Sequence, residues 1–329
     1  MNASTHGIWR NRQLRGTKQR IENWIENLLD TCREQGDEKI VDLASHILLA
    51  GGKRIRPILC LLVYEMLGGE DEQSVLPLAA AYELIHTATL IHDDINDKSK
   101  VRRGVMALHE VAGPAEAQIT GDWLFVQGFG LGGRYPDEIV DLMARSCARL
   151  AVAELKQISH IYDIEITIED YYEVIEGKTA GPFSSGCEAA AMLAGSPESV
   201  IAGMSVFGMQ LGIAFQLVDD LLDLIGDERL GKPRGLDVME GKITLPLIIA
   251  LQRLEGSERD RLVELISMFD LHYLPELLQL LQRSGSIDYC RSLVSDHLTA
   301  AIRELDVVSD SSAKSLVLDL THYVRSRYD

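Results

Sequence analysis

Apolar residues recur three and four positions apart along almost the whole chain, the spacing that lines up one face of an α-helix. The segments "IENWIENLLDTC", "IVDLASHILLA", "PILCLLVYEML", "DEIVDLMARSCARLAVAEL", "LPELLQLLQRSG" and "AKSLVLDLTHYVRSR" all carry it. Together they predict an all-α protein of about a dozen helices. Proline suits the first turn of a helix and not its interior. Pro57, Pro77, Pro114, Pro136, Pro182, Pro197 and Pro275 are therefore expected at helix boundaries. One stretch argues for a strand: in "IYDIEITIED", Ile164, Ile166 and Ile168 alternate with polar residues. Thr167, followed three positions on by Asp170, instead predicts a capped helix start for "YYEVIEGKTA". No linker, low-complexity tract or short repeat divides the chain, so residues 21–329 read as one large helical domain.

Residues 1–20 stand apart, with Arg10, Arg12, Arg15, Lys18 and Arg20 and no acid. They read as a basic tail, flexible or loosely docked. The chain as a whole is acidic, 32 Lys+Arg against 50 Asp+Glu for a net charge of −18. That balance argues against a general nucleic-acid binder, which needs cations to replace counterions along phosphates.

Cys32, Cys60, Cys147, Cys187 and Cys290 are scattered without paired spacing, as expected for reduced thiols of a cytoplasmic protein. The uncharged run Ser199–Val218 has the length of a membrane span. Its Ser, Gln and Gly content, and its passage into "DDLLD", predict a core helix and no stable span. "QGFGLGG" superficially suggests a phosphate-cradling loop, but no strand precedes it and its spacing fits neither nucleotide fingerprint. Gly128 and Gly132 are read as a small-residue helix face or a helix end.

Candidate chemistry concentrates in two acidic clusters. In "LIHDDINDKSKVRRG", Asp93 and Asp97 lie four positions apart, on one helix face, with Asp94 beside them. In "FQLVDDLLD", Asp219, Asp220 and Asp223 repeat the arrangement. Like charges at that spacing repel, and both clusters are entered by apolar helix, which is hard to explain as solvated surface. Mg²⁺ explains them, because it takes one or two carboxylates and keeps waters and substrate phosphate oxygens in the rest of its octahedron. Cations at punctuated positions then have phosphate oxygens to bind. "GGKRIRP" offers Lys53, Arg54 and Arg56, "VRRG" Arg102 and Arg103, "EGKTAGP" Lys178 beside Thr179, and "GKPRGLDVMEGKITLP" Lys232, Arg234 and Lys242.

The ordered set "GGKRIRP", "HDDINDKSKVRRG", "GKTA", "FQLVDDLLD" and "GKPRGLDVMEGKITLP", from about Gly51 to Leu247, resembles the trans-type polyprenyl diphosphate synthases, the isoprenoid chain-elongation family. The resemblance implies a helical bundle around a central cavity, and a reaction joining isopentenyl diphosphate head-to-tail to an allylic diphosphate. It implies that Asp93, Asp97 and Asp219 coordinate Mg²⁺, three ions per active site, on the allylic diphosphate, with Asp94, Asp220 and Asp223 completing the metal-binding clusters. Arg102, Lys178 and Lys232 match residues that hold that diphosphate, with Lys242 in the same lysine motif. Lys53, Arg56, His86 and Arg103 match the isopentenyl diphosphate pocket. Thr179 and Gln216 turn lone pairs toward developing positive charge. A homodimer is likewise implied.

By the same resemblance, a small residue one turn before Asp93 leaves the product tunnel open, so Ala88 and Thr89 imply products of twenty carbons or more. Trp123, Phe125, Phe129 and Leu131 are candidates for a deeper floor. A terpene cyclase, the main alternative enzyme, needs no second diphosphate pocket and leaves "GGKRIRP" and "VRRG" without a task. A noncatalytic partner subunit commonly lacks aspartates or lysines that this chain retains. A helical scaffold leaves the paired clusters unexplained.

Overall fold

The computed structural model describes residues 7–226 and 234–327. It is all-α apart from one small hairpin. The chain runs through α1 (Arg12–Glu34), α2 (Glu38–Leu48), α3 (Ile55–Met66) and α4 (Glu72–Asn96), and then the hairpin β1 (Val101–Arg102) and β2 (Val105–Met106). There follow α5 (Leu108–Ala112), α6 (Pro114–Gly132), α7 (Asp137–Ser159), α8 (Ile168–Ile175), α9 (Gly181–Leu193) and α10 (Glu198–Ile225). The last are α11 (Leu236–Met239), α12 (Leu245–Arg253), α13 (Gly256–Ser267), α14 (Leu274–Ser284), α15 (Ser286–Glu304) and α16 (Ser312–Arg325). The count exceeds the dozen expected partly because pieces as short as α5 and α11 carry too few residues to show a period.

Two long helices organise the site. α4 packs against α6 and α3, and α10 lies between α9 and α15. One buried apolar cluster runs from Leu14 to Val324. The segment expected as a tail joins it before residue 20. Leu14 and Thr17 are buried, Trp9 meets the Tyr323 ring edge-on, and Arg20 pairs with Glu65 at 2.9 Å and with Glu72. The apolar spacing of α1 begins inside the basic run, which is why composition misplaced the boundary.

Local signals account for most helix ends. Thr167 and Asp170 form the reciprocal capping box, so the alternating isoleucines belong to a turn and a helix start. Pro114, Pro275, Pro136 and Pro197 sit at or just before helix starts. Pro77 does not: it lies inside α4, near enough to the start that its missing N–H deprives only the Gln73 carbonyl. Pro182 does not stop its helix either. α8 and α9 are continuous through a π turn, Glu176–Ala180. A proline ring at 182 displaces the carbonyl of residue 178, and the helix absorbs this by widening, with the Gly181 N–H donating to the Glu176 carbonyl five residues back.

That π turn carries Lys178 and Thr179 and is pressed between neighbours. A Cβ on Gly177 would come within 2.6 Å of Ala153 Cβ in α7, and one on Gly212 within 2.5 Å of Ala180 Cα. The glycines of the uncharged run thus let α10 approach the turn. Its apolar residues bury one face only, for Val206 is 43% exposed; the core helix expected there is half-covered. α4 and α10 are long and apolar enough to cross a membrane, but 78% of the most apolar stretch of α4 is buried within the protein. "QGFGLGG" is the end of α6, where Gly128 admits Ile85.

Candidate active site

Both aspartate clusters lie at helix C-termini. Asp93 and Asp94 occupy the last turn of α4 with Asp97 as its C-cap, and Asp219, Asp220 and Asp223 fall in the last two turns of α10. The backbone dipole disfavours anions there, so this placement needs cations. Asp93, Asp97, Asp220 and Asp237 line one cavity of about 160 Å³ together with Tyr171, Lys178, Thr179, Gln216 and Lys242.

Each member of the first cluster has its own cation. Arg102 donates twice to Asp94, at 2.8 and 2.5 Å. Lys178 Nζ stands 3.5 Å from Asp93 and 2.7 Å from Glu154, and donates to Gln157 at 2.9 Å. Lys242 donates to Asp97 at 2.9 Å and to Glu240 at 2.7 Å. The close mixture of anions and cations is therefore a set of ion pairs around a cavity.

The second cluster divides its work. Asp220 is buried, accepting from Tyr171 Oη at 2.5 Å and Gln216 Nε2 at 2.8 Å; Thr179 Oγ1 donates to Gln216 Oε1 at 2.8 Å. Asp223 accepts from the backbone N–H groups of Leu236 and Asp237 at 3.1 and 3.3 Å, fixing the segment that brings Asp237 to the cavity. Asp219 receives Arg327 at 2.5 Å, and that guanidinium also lies over the Phe215 ring, 4.6 Å from its centroid. Burial, and then the neighbouring Asp237 charge, push the carboxyls of Asp220 and Asp223 well above the usual carboxylate range; Asp237 is raised mainly by burial. Glu154 is raised by burial and by Asp93.

Crowded, raised carboxylates and the buried, unpartnered Asp94 Oδ2 fit a site that receives a hard cation. Among the described residues no three His, Cys, Asp or Glu side chains are grouped so as to hold a metal ion by themselves, and Mg²⁺, which takes one or two carboxylates and keeps waters and substrate oxygens, does not require such a group.

The remaining candidates flank a second, apolar space. Arg56 lies 4.7 Å over the Phe183 ring and donates to His86 Nε2 at 3.2 Å. Burial, helped by Arg56, holds His86 neutral by pushing its pKa well down, so Nε2 accepts and Nδ1 carries the proton. Lys53 Nζ is 5.2 Å from the centre of the Tyr323 ring. Arg103 donates to Glu83 at 2.9 Å and to the Ile47 carbonyl at 3.2 Å. Arg54 is 4% exposed and bonds Glu83 and the Leu48 carbonyl, so it is not among the cations facing a ligand. Lys232 lies outside the described residues.

Thr89, Arg56 and His86 line a narrow cavity of about 20 Å³ with Tyr82, Ile85, Met143, Cys147 and Leu150, and Lys178 borders both cavities. Ala88 is buried and does not line it. Trp123, Phe125, Phe129 and Leu131 do not line it either; Phe125 stacks on His92 and Phe129. Most of its walls come from α4 and α7.

Sequence reasoning missed Tyr171, Glu154, Gln157, Asp237 and Glu83. Asp237 had a signal, being an acid inside "GLDVMEGK" five positions before Lys242. The others sit on helices whose pattern marks them as ordinary polar positions.

A family model described as polyprenyl synthetase matches residues 37–273. The short chain isoprenyl diphosphate synthase of Methanothermobacter thermautotrophicus is 34% identical over 308 residues, 92% of this chain and 94% of that one. The octaprenyl diphosphate synthase of Escherichia coli is 34% identical, over 88% of this chain and 90% of that protein. Among solved structures, the polyprenyl synthase of Caulobacter crescentus CB15, complexed with calcium and isoprenyl diphosphate, superposes with a TM-score of 0.86 at 32% identity, covering 97% of each chain.

Proposed function

The chain belongs to the polyprenyl synthetase family and is a trans-type prenyl diphosphate synthase with products of twenty carbons or more, and from that premise we propose how its residues divide the work. The allylic diphosphate enters the 160 Å³ cavity. Asp93, Asp97 and Asp220 line it and would hold Mg²⁺ there, joined by Asp219 once Arg327 releases it and supported by Asp94, Asp223 and Asp237. The metal supplies neutralisation of the charge that builds on the leaving diphosphate.

Lys178, Arg102 and Lys242, each already beside an aspartate of the first cluster, exchange those carboxylates for diphosphate oxygens. The observation that carries the reading is that Arg102, Lys178 and Lys242 each stand within 3.5 Å of an aspartate of the first cluster, because a site of matched ion pairs accepts an anion and its metal cations together without a large change in net charge. Lys232 is assigned to the same diphosphate. Lys53, Arg56, Arg103 and neutral His86 take the diphosphate of isopentenyl diphosphate.

When the allylic C–O bond breaks, positive charge develops on the carbon chain while diphosphate leaves. Thr179 Oγ1 and Gln216 Oε1 present lone pairs to that charge in a site shielded from water. The double bond of isopentenyl diphosphate supplies the electron pair for the new C–C bond. The proton then lost from it passes to the departed diphosphate, so no side-chain base is required.

The growing chain descends beside Thr89. The space below it, about 20 Å³, has room for about one water and none for a prenyl unit. Elongation therefore displaces Ile85, Met143 and Leu150, of which methionine is the most adaptable.

A homodimer is supported by apolar residues left in water on adjoining helices: Ile119 and Val126 on α6, and Val152, Leu155 and Ile158 on α7, are 55–70% exposed. Five free thiols, four of them buried, support a reducing, cytoplasmic setting. A nonreactive allylic diphosphate analogue tests the site directly. It should raise Tm with Mg²⁺ and not with EDTA, and an equal rise in both would refute the shared metal and diphosphate site.

A further inference from the structure

Glu83 is 1% exposed, yet carries an acid into the middle of α4. Its Oε1 accepts from two arginines that come from separate loops, Arg54 of "GGKRIRP" and Arg103 of the β1–β2 hairpin. The same two guanidiniums donate onward to neighbouring carbonyls at the end of α2, Arg54 to Leu48 and Arg103 to Ile47. Those carbonyls belong to the last turn of α2, whose acceptors have no partner within the helix.

Both arginines also have left-handed backbones, φ 54° for Arg54 and 52° for Arg103. Non-glycine residues adopt that region only where surrounding contacts hold them. At Gly52, φ 125°, even a Cβ would come within 3.4 Å of Arg103 Nε, so the two loops are in close contact at this point. Glu83, with Glu22 standing 3.5 Å from Arg54 Nε, thus ties two cationic segments to α4, and His86 follows Glu83 three positions later on the same helix.

We propose that Glu83 is a positioning residue for the second-substrate pocket. By anchoring Arg54 and Arg103 it sets where Lys53, Arg56 and the Arg103 guanidinium face the diphosphate of isopentenyl diphosphate. It has no role at the allylic diphosphate, whose cations Arg102, Lys178 and Lys242 are paired with other acids. Glu83 also offsets the repulsion among Arg54, Arg56 and Arg103, which would otherwise drive the two loops apart before substrate arrives. The proposal rests on assigning Lys53, Arg56, His86 and Arg103 to isopentenyl diphosphate.

The test is steady-state kinetics of the full chain with each substrate varied in turn, on Glu83→Gln and on Glu83→Asp, which keeps the charge and shortens the reach. In whichever variants fold by circular dichroism, the KM for isopentenyl diphosphate should rise about tenfold or more while the KM for the allylic diphosphate stays within about twofold. Aspartate should lie between glutamine and the parent. A general loosening of structure would raise both KM values together, and that result, or no change in either, would overturn the proposal. Failure of both variants to fold would make Glu83 a folding residue and overturn it too. A parent enzyme that condenses no substrates would refute the pocket assignment itself, whereas an active parent with unselective variants would refute only the role of Glu83.

Discussion

Gly212→Ala is a severe test of how this site is positioned, because the substitution adds one methyl group and touches no substrate. The new Cβ would stand 2.5 Å from Ala180 Cα and 2.9 Å from its Cβ, where ordinary contact begins at 3.4 Å. Relief requires α10 and the π turn to separate by about 0.9 Å, the difference between those distances. Gln216 is one helical turn from Gly212 and Thr179 adjoins Ala180, so the 2.8 Å bond between them would stretch beyond hydrogen-bonding range.

Overpacking costs about 1–3 kcal/mol, and replacing a helical glycine by alanine returns about 1 kcal/mol of helix propensity, so the net loss of stability is modest. A displacement of about 1 Å at reacting groups, by contrast, can cost roughly a hundredfold in rate. The expected result is a folded protein with Tm lowered by a few degrees and kcat lowered about a hundredfold. Gly16→Ala is the control: Gly16 lies within α1 with nothing within 4 Å of an added Cβ, and should gain about 0.5–1 kcal/mol. A Gly212→Ala enzyme with parental kcat would refute the claim that close approach of α10 sets the catalytic geometry.

Thr89→Phe should cap the 20 Å³ space beneath the site and shift products toward shorter chains, read by sizing the dephosphorylated alcohols; unchanged length would remove Thr89 from the tunnel wall. Asp220 is raised from its usual value of 3.8, first by burial, so the folded state binds a proton more tightly than the unfolded one and stability falls as pH rises above that value. Asp220→Asn removes this penalty, and in metal-free buffer its Tm advantage should grow from about pH 5 to about pH 8 while activity is lost; a flat difference would contradict the shift. Arg327→Ala releases Asp219 from a competing cation and should lower the Mg²⁺ concentration for half-maximal activity.

Much of this site was legible in the sequence because its chemistry is concentrated. Two acidic clusters at the ends of apolar helical runs, with cations in glycine-punctuated loops, have few other physical explanations, and the structure brings Asp93, Asp97 and Asp220 to one cavity. Thr167 and Asp170 were legible for the same reason, since a capping box is a local bond between near neighbours. The roles of Pro77 and Pro182 were not, because whether a helix stops at a proline or absorbs it depends on what packs against it. Glu83 and Arg54 are 29 positions apart, and nothing local marks either as half of a buried pair. Arg54 instead looked like one more substrate cation.

The central claim is condensation of isopentenyl diphosphate with an allylic primer at the paired aspartate sites. It is tested most directly by incubating the purified chain with labelled isopentenyl diphosphate, an allylic diphosphate and Mg²⁺, with Asp93→Ala alongside, and sizing the products. A ladder ending at a defined all-trans length of twenty carbons or more, abolished in Asp93→Ala, is the predicted result. An undiminished ladder from the variant, or no condensation by the parent with any primer, would contradict it.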